Sequence, residues 1–408
     1  MLGRMLLALL LATPVTAQGK NLLFYGNSFT YYSWGYGVPE LVGQIATEAG
    51  HPTPFIKQAL VGGSTMTHHA TDPGQVAVIS TALPAGQTWD HVIMQGRAPE
   101  ATTSLGFNPT QFRADAVAIT GNVRAHSPNA GAVMYQTWAA AWGHYYYNAP
   151  PPWYVPLDMH NEVRTNYRLA ADDINVAHGA GTGRNAPAGD AIAFLEFDPS
   201  WYESDKEHPS PTMILLAAMT IYTTIYDGTI CEITPDWSPG SQLQTLLAPK
   251  GLGPTDWDFL AGLSDRAAIP ANRRFPGSGD QLLLESSIDA APLLTCPEHS
   301  ITNGTVVNLR LRSMNNVYDN ATGALFVDFF LTGAPPGPSL LYPEIQVDVG
   351  RSIISPMVSL QNPLSVSFPM PFTLPGISFL VQGIALQAST ETGNAVFTTT
   401  DGHELVFY

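Results

Sequence analysis

The stretch Asn21-Leu-Leu-Phe-Tyr-Gly-Asn-Ser-Phe-Thr30 decides the fold, because it reads as a short apolar strand that ends on small and polar residues. Open α/β folds bind ligands at the carboxyl edge of the sheet, where this pattern would place the hydroxyl of Ser28. Far downstream, Ser204-Asp-Lys-Glu-His-Pro-Ser210 offers Asp205 and His208. The two segments together supply a serine, an aspartate and a histidine, the residue types that nucleophilic catalysis needs.

From about residue 20 to residue 230, strand signals alternate with helix signals. This alternation predicts a parallel sheet with helices on both faces. The predicted strands are Leu22–Tyr25, Phe55–Leu60, His91–Met94 and Ala132–Gln136, and the predicted helices are Val38–Ala49, Thr110–His126, Met159–His178 and Pro211–Asp227. The last of these helices is apolar almost all round, which predicts that it is buried.

The hydrophobic period changes to two after residues 271–280, which are rich in Pro and Gly and indicate a linker. Short strands separated by turn residues predict an antiparallel β-sandwich over residues 281–408. The pair Asp401-Gly402 predicts a hairpin that joins two final strands. The other predicted strands include Leu282–Ser286, Val307–Leu311, Leu325–Leu331, Ile345–Val349, Leu364–Phe368 and Ile377–Ile384.

Composition narrows the choice of partners. The net charge is −16 and only 12% of the residues are charged, which argues against nucleic acid and favours neutral substrates. Residues 1–17 read as a cleaved secretory signal, which predicts export to the periplasm or the outside of a bacterial cell. No other segment is apolar enough over the length of a membrane span. Cys231 and Cys296 either pair or remain two buried thiols.

The chain now becomes comparable with a known family. Gly26-Asn-Ser-Phe29 resembles the first block of the GDSL, or SGNH, hydrolases, and Asp205-Lys-Glu-His-Pro-Ser210 resembles their last block. The resemblance covers roughly residues 20–230. It implies a flavodoxin-like three-layer α/β sandwich in a hydrolase domain over residues 18–270, followed by an accessory β-sandwich domain over residues 281–408.

The resemblance also implies a secreted serine esterase without metal or cofactor. In that interpretation Ser28 is the nucleophile, His208 is the base and Asp205 orients the imidazole. Several kinds of ester substrate fit this interpretation, namely acetylated carbohydrate, short-chain acyl esters and aromatic or polymeric esters. A polysaccharide is one possible partner. The alternative is a catalytically inactive glycan-binding or adhesion protein on a hydrolase scaffold.

The oxyanion donors follow from the two middle blocks of the family. The amides of Ser28 and Gly63 are the expected backbone donors. The family usually carries an Asn in the third block, whereas this chain has Gln95, whose longer arm carries the same amide. Two alternatives stay open, namely that Arg97 points into the site or that only backbone groups donate.

Aromatic residues follow Ser28 and the fourth strand. Tyr31, Trp34 and Trp138 are the candidate substrate-binding residues. The aromatic run from Trp138 to Tyr154 fits either a substrate wall or a small core beneath a Pro-rich loop. His68 and His69 with Asp72 offer no third ligand at a recognised spacing, so we do not expect a metal site there.

Overall fold

The structure is a computed structural model that describes residues 19–31, 37–148, 152–269, 274–296, 298–371 and 374–407. The N-terminal strands are β1 (Asn21–Gly26), β2 (Phe55–Leu60), β3 (His91–Met94), β4 (Gly131–Tyr135) and β5 (Gly183–Ala186). They form one parallel sheet in the order β2-β1-β3-β4-β5. This is the strand order of flavodoxin-like sheets, so the predicted α/β fold class is confirmed.

Helices cover the parallel sheet. They are α1 (Val38–Glu48), α2 (Met66–Thr71), α3 (Pro73–Thr81), α4 (Pro109–His126), α5 (Pro156–His178), α6 (Ala188–Ala193), α7 (Pro211–Tyr226), α8 (Gln242–Leu247) and α9 (Pro254–Ala268). Helix α7 packs against α1 and α9, and α4 packs against α2 and α5. The start of α7 is set by Ser210, whose hydroxyl accepts a bond from the amide of Met213, and by Pro211 in the first turn.

The C-terminal part consists of mainly antiparallel sheets. Its strands are β6 (Leu282–Ile288), β7 (Glu298–Ile301), β8 (Val306–Ser313), β9 (Thr322–Leu331), β10 (Ile353–Ile354), β11 (Val358–Ser359), β12 (Leu364–Pro369), β13 (Ile377–Ala385) and β14 (Thr398–Phe407). One sheet has the order β10-β9-β13-β14-β7, with β11 also on β9, and the other has the order β12-β8-β6. Facing sheets of this kind fit the predicted β-sandwich.

The strand predicted at Ile345–Val349 is wrong. This segment is irregular, although Ile345 and Val347 are buried. Two of its amides are bonded to side chains instead of a neighbouring strand: the amide of Gln346 donates to Gln382 Oε1 at 2.9 Å, and that of Asp348 donates to Asp328 Oδ2 at 3.0 Å. The alternating apolar residues therefore indicate that the segment is buried, and they do not indicate that it pairs with a strand.

The hairpin predicted at Asp401-Gly402 is also wrong, because both residues lie inside the continuous strand β14. Gly402 is needed for close packing, since a Cβ there would meet Leu380 Cδ1 at 2.8 Å and Phe275 Cβ at 2.9 Å. Asp401 is buried and forms an ion pair with Arg266 at 3.0 Å. Asp401 and Gly402 therefore pack inside the sheet and do not form a turn.

The two parts of the chain are joined by more than the peptide backbone. Cys231 and Cys296 form a disulfide with their Cα atoms 5.7 Å apart, across a sequence separation of 65 residues. Leu283 and Met314 belong to the same hydrophobic core as the parallel sheet. Arg266, near the end of α9, is 2% exposed and pairs with Asp401 of β14. The C-terminal sheets are therefore packed onto the α/β part through a buried interface.

Within the described residues, no helix combines the length and the apolar content that crossing a membrane requires. The predicted signal segment, residues 1–17, lies outside the described residues.

Candidate active site

Ser28 lies in a tight turn directly after β1. The amide of Thr30 donates to the carbonyl of Asn27 at 2.9 Å and closes this turn. The side chain of Asn27 is buried and donates from Nδ2 to the carbonyl of Ser64 at 3.1 Å. Because Ser64 follows β2, this bond ties the loop after β1 to the loop after β2. The hydroxyl of Ser28 is thereby held at the carboxyl edge of the sheet.

The structure brings Ser28, His208 and Asp205 together. Ser28 Oγ lies 2.9 Å from His208 Nε2, and His208 Nδ1 lies 2.6 Å from Asp205 Oδ2. The other oxygen of Asp205 accepts bonds from the backbone amides of Glu207 and His208 at 3.0 and 2.9 Å. A carboxylate, an imidazole and a hydroxyl in this sequence of contacts can activate the hydroxyl as a nucleophile.

Asp205 is held in its ionised form. Partial burial pushes the pKa of its carboxyl upward, but the amides of Glu207 and His208 and the His208 imidazole bring it below its usual value. An ionised carboxylate fixes the hydrogen of His208 on Nδ1, which leaves Nε2 as the acceptor facing Ser28. The Asp205 side chain is 51% exposed, so water screens its charge and orientation of the ring is its main contribution.

Two backbone amides beside Ser28 are free to bind a ligand oxygen. Among the described residues, no group accepts a hydrogen bond from the amide of Ser28 or of Gly63. Gly63 has a φ of +67°, which turns the loop after β2 in a way that favours glycine. Both residues line a small cavity of about 230 Å³ together with Arg97 and His208. The arrangement can hold an oxyanion formed at a substrate carbonyl.

Gln95 does not lie where an oxyanion donor is needed. Its side chain is fully buried and is not among the cavity-lining residues. Its Oε1 accepts bonds from the amide of Asn27 at 2.9 Å and from Thr30 Oγ1 at 2.8 Å, and its Nε2 donates to the carbonyl of Gly96. These partners fix which end of the amide is oxygen. As a correction to the sequence prediction, the structure places Gln95 behind the Ser28 turn, as its support.

Of the three substrate-binding candidates, Trp138 needs correction. Trp138 is 1% exposed and stacks on Phe29 at 5.1 Å, while Phe29 contacts the His208 ring edge-on at 5.2 Å. It is thus a wall beneath the histidine and not a surface for substrate. Tyr31 lies against the loop after β2, since a Cβ on Gly62 would meet its hydroxyl at 2.7 Å. Trp34 lies outside the described residues.

The loop after β4 supports the turn that carries Asp205 and His208. The indole nitrogen of Trp138 donates to the carbonyl of Glu207 at 3.2 Å, and the amide of Ala141 donates to the carbonyl of Lys206 at 2.8 Å. Tyr146 and Trp153 are buried, whereas Trp142, Tyr145 and Tyr154 are exposed. Part of the aromatic run is therefore a small core, and part of it faces solvent.

Sequence reasoning missed Glu100. Its carboxylate accepts bonds from the amide of Met66 at 2.8 Å and from that of Arg97 at 3.2 Å, and so joins the segments that follow β2 and β3. Burial raises its pKa to about 7, although both amides act in the opposite direction. The signal was present in Arg97-Ala-Pro-Glu100, where Pro precedes an acidic residue at the start of a helical turn.

Arg97 and His69 have different surroundings. Arg97 lines the cavity and its guanidinium lies 5.4 Å from the centre of the Phe107 ring. His69 is buried, with Nε2 2.8 Å from Ser64 Oγ and Nδ1 3.0 Å from Gln75 Oε1. Burial lowers the pKa of His69, so this ring is a neutral part of α2 that packs against the loop after β2.

No protein-family model matches the sequence, and no curated protein matches it. Several solved structures match part of the chain. A DUF4886 family protein from Bacteroides uniformis is 16% identical, with a TM-score of 0.47 over 63% of this chain and 97% of that one. A candidate SGNH hydrolase from Slackia heliotrinireducens is 21% identical, with a TM-score of 0.38 over 51% of this chain and 100% of that one.

An esterase, EstA from Pseudoalteromonas sp., is 14% identical, with a TM-score of 0.35 over 51% of this chain and 97% of that one. These likenesses are distant, and nothing about activity or substrate follows from them. The α/β assignment stands on the sheet order itself. Over about half of its length, the chain is similar to solved SGNH hydrolases and esterases.

Proposed function

We propose that this protein is a secreted serine hydrolase that cleaves neutral carboxylic esters through an acyl-enzyme. The observation that carries the proposal is the continuous contact from Asp205 through His208 to Ser28, at 2.6 and 2.9 Å, beside a cavity. Export is part of the proposal and rests on the predicted signal in residues 1–17.

The proposed reaction begins when Ser28 Oγ attacks the ester carbonyl and its proton passes to His208 Nε2. The carbonyl oxygen becomes negatively charged and accepts hydrogen bonds from the amides of Ser28 and Gly63. His208 then returns the proton to the leaving alcohol. A water molecule repeats the sequence on the acyl-serine, which releases the acid and restores the free hydroxyl. Asp205 stays ionised throughout and stabilises the charged imidazole.

The size of the cavity supports a short acyl group. Drug-sized ligands occupy pockets of roughly 300–1,000 Å³, whereas the cavity at Ser28 is about 230 Å³. A larger cleft of about 680 Å³ lies beside Tyr342, in the C-terminal part, but it holds none of the three residues of the proposed reaction. An acetyl or similarly small acyl group therefore fits best, with the alcohol outside the cavity.

The test is the hydrolysis of p-nitrophenyl acetate by the wild type and by Ser28→Ala. We expect the variant to lose turnover by about 10⁴-fold or more, because nothing else in the proposed reaction attacks the carbonyl. Circular dichroism would verify that the variant is folded. Equal rates for two folded proteins would contradict the proposal and favour the inactive glycan-binding alternative.

A further inference from the structure

A second cleft lies beside the turn that carries Asp205 and His208. It measures about 450 Å³, and we name it the Trp142 cleft, after the residue that forms one wall with Val155, Leu157, Glu196, Asp198 and Asn316. Ala141 and Gly143, the neighbours of Trp142, bond to the backbone and side chain of Lys206 at 2.8 and 3.2 Å. The loop that carries Trp142 therefore contacts the turn that carries Asp205 and His208.

The wall formed by Trp142 is exposed and rigid at the same time. The residue is 46% exposed, yet its indole nitrogen donates to the carbonyl of Glu196 at 3.2 Å and its amide donates to the carbonyl of Phe197 at 3.0 Å. A fixed aromatic face is a platform for a flat apolar surface, such as the face of a sugar ring. Because the ring is already ordered, binding costs little further side-chain entropy.

The rim of the cleft is polar, and no lysine or arginine is among its lining residues. Asn316 is exposed and offers both a donor and an acceptor, and the exposed carboxylate of Asp198 offers acceptors. Such groups pair with hydroxyls, and the exposed carboxylate of Asp198 repels carboxylates and phosphates, whereas the charge of Glu196 is paired with Arg312 at 3.4 Å. The lining thus suits a neutral polyol.

The backbone around the cleft is strained. Glu196 and Phe197 have φ of 57° and 53°, and Asn315 and Asn316, from the C-terminal part, have φ of 53° and 59°. Left-handed backbone is unfavourable for Glu and Phe, and it is kept where the surroundings enforce it. The strained pair Glu196–Phe197 and the left-handed pair Asn315–Asn316, from distant parts of the sequence, therefore shape the same cleft.

We infer that the Trp142 cleft binds a neutral sugar residue of a glycan, with the ring stacked on Trp142 and its hydroxyls bonded to Asn316 and Asp198. This inference deepens the proposed function, because it names the place where the carbohydrate part of an ester substrate is held. Binding of a glycan without any ester tests it separately from turnover.

The experiment is calorimetric titration of the Ser28→Ala protein with xylotetraose, cellotetraose, mannotetraose and chitotetraose, with tetragalacturonate as the charged comparison. We expect at least one neutral tetrasaccharide to bind with a Kd of about 1 mM or tighter. In the same background, Trp142→Ala should weaken that binding by about tenfold or more, and Trp142→Phe by less.

Two further variants separate a site from a general effect. Asn316→Gly removes the carboxamide and keeps the left-handed backbone, so we expect weaker binding of about threefold or more in a folded protein. Tyr145→Ala removes an aromatic ring of the same loop that is 64% exposed and does not line the cleft, and it should bind like the parent. The inference is overturned if no neutral tetrasaccharide binds, if Trp142→Ala binds like the parent, or if tetragalacturonate binds equally well. Each of these outcomes leaves the hydrolysis of p-nitrophenyl acetate as a separate result.

Discussion

The front and the back of the Ser28 turn use similar polar residues for opposite purposes. At the front, the amides of Ser28 and Gly63 have no described partner and face a cavity. At the back, Gln95 is fully buried, and its carbonyl oxygen accepts from Asn27 and Thr30. The comparison shows that the position of a polar group, on the cavity side or on the buried side of the turn, determines whether it can bind substrate or supports the turn. Residue type alone does not decide it.

The largest effect is expected at the front. We expect His208→Ala to lower kcat for p-nitrophenyl acetate by about 10⁴-fold or more, because Ser28 would lose its proposed base. Asp205→Asn should cost about 10³- to 10⁴-fold, because the amide oxygen would stay with the backbone amides of Glu207 and His208 and the NH2 group would face Nδ1, which favours the tautomer with the hydrogen on Nε2. His126→Ala, which changes an exposed histidine near the end of α4, is the matched control. Near-normal turnover in folded His208→Ala would remove the distinction between front and back.

At the back, we expect a loss of stability instead of a loss of chemistry. Gln95→Ala should lower the free energy of unfolding by about 2–4 kcal/mol, since it leaves the Asn27 amide and the Thr30 hydroxyl without their acceptor. Thr30→Val removes one of these donors and should cost about 1 kcal/mol. Urea unfolding measures both changes.

Turnover of the same Gln95→Ala protein sharpens the comparison. A supporting role predicts a decrease in kcat of less than about tenfold, whereas loss of an oxyanion donor typically costs about 10²–10³-fold. A decrease of about 10²–10³-fold in kcat, with an unchanged free energy of unfolding, would indicate that Gln95 donates to the oxyanion.

The smallest effect concerns the pH dependence of stability at Glu100. Its pKa in the folded protein, about 7, is above the usual 4.5, so the folded state binds this proton more tightly than the unfolded state. Stability from this group is therefore present at low pH and is lost as pH rises from about 4.5 to about 7, by up to about 3 kcal/mol. Glu100→Gln should flatten that slope in urea unfolding at about pH 5 and about pH 8. An unchanged slope would contradict the raised pKa.

Much of the fold could be predicted because its signals are local. His91–Met94 is predicted with the bounds that β3 has, and the start of α7 at Pro211 follows from a capping residue and Pro. The helix predicted from Thr110 begins one residue earlier, at Pro109. Strand β5 was missed, because Gly183-Arg-Asn-Ala186 carries no strand-forming pattern and is defined only by pairing with β4.

The site was predictable to the same extent. Asp205 and His208 are close in sequence, so a single turn brings them into contact. The strand that ends just before Ser28 predicts the position of the hydroxyl at the edge of the sheet. The direction of the Gln95 side chain depends on how the chain leaves β3 and on the buried hydroxyl of Thr30, which no local pattern encodes. Similarly, the Trp142 cleft combines segments that are distant in sequence and that meet only after folding.

The ion pair between Arg266 and Asp401 has a consequence for how this protein could evolve. A gene truncated before β14 would encode a buried guanidinium that keeps the carbonyl of Asp280 as a partner but lacks its counter-charge Asp401, which costs several kcal/mol. Exchange of the C-terminal sheets by recombination would therefore require simultaneous changes in α9. We expect the two parts to be inherited as one unit and not shuffled among unrelated enzymes.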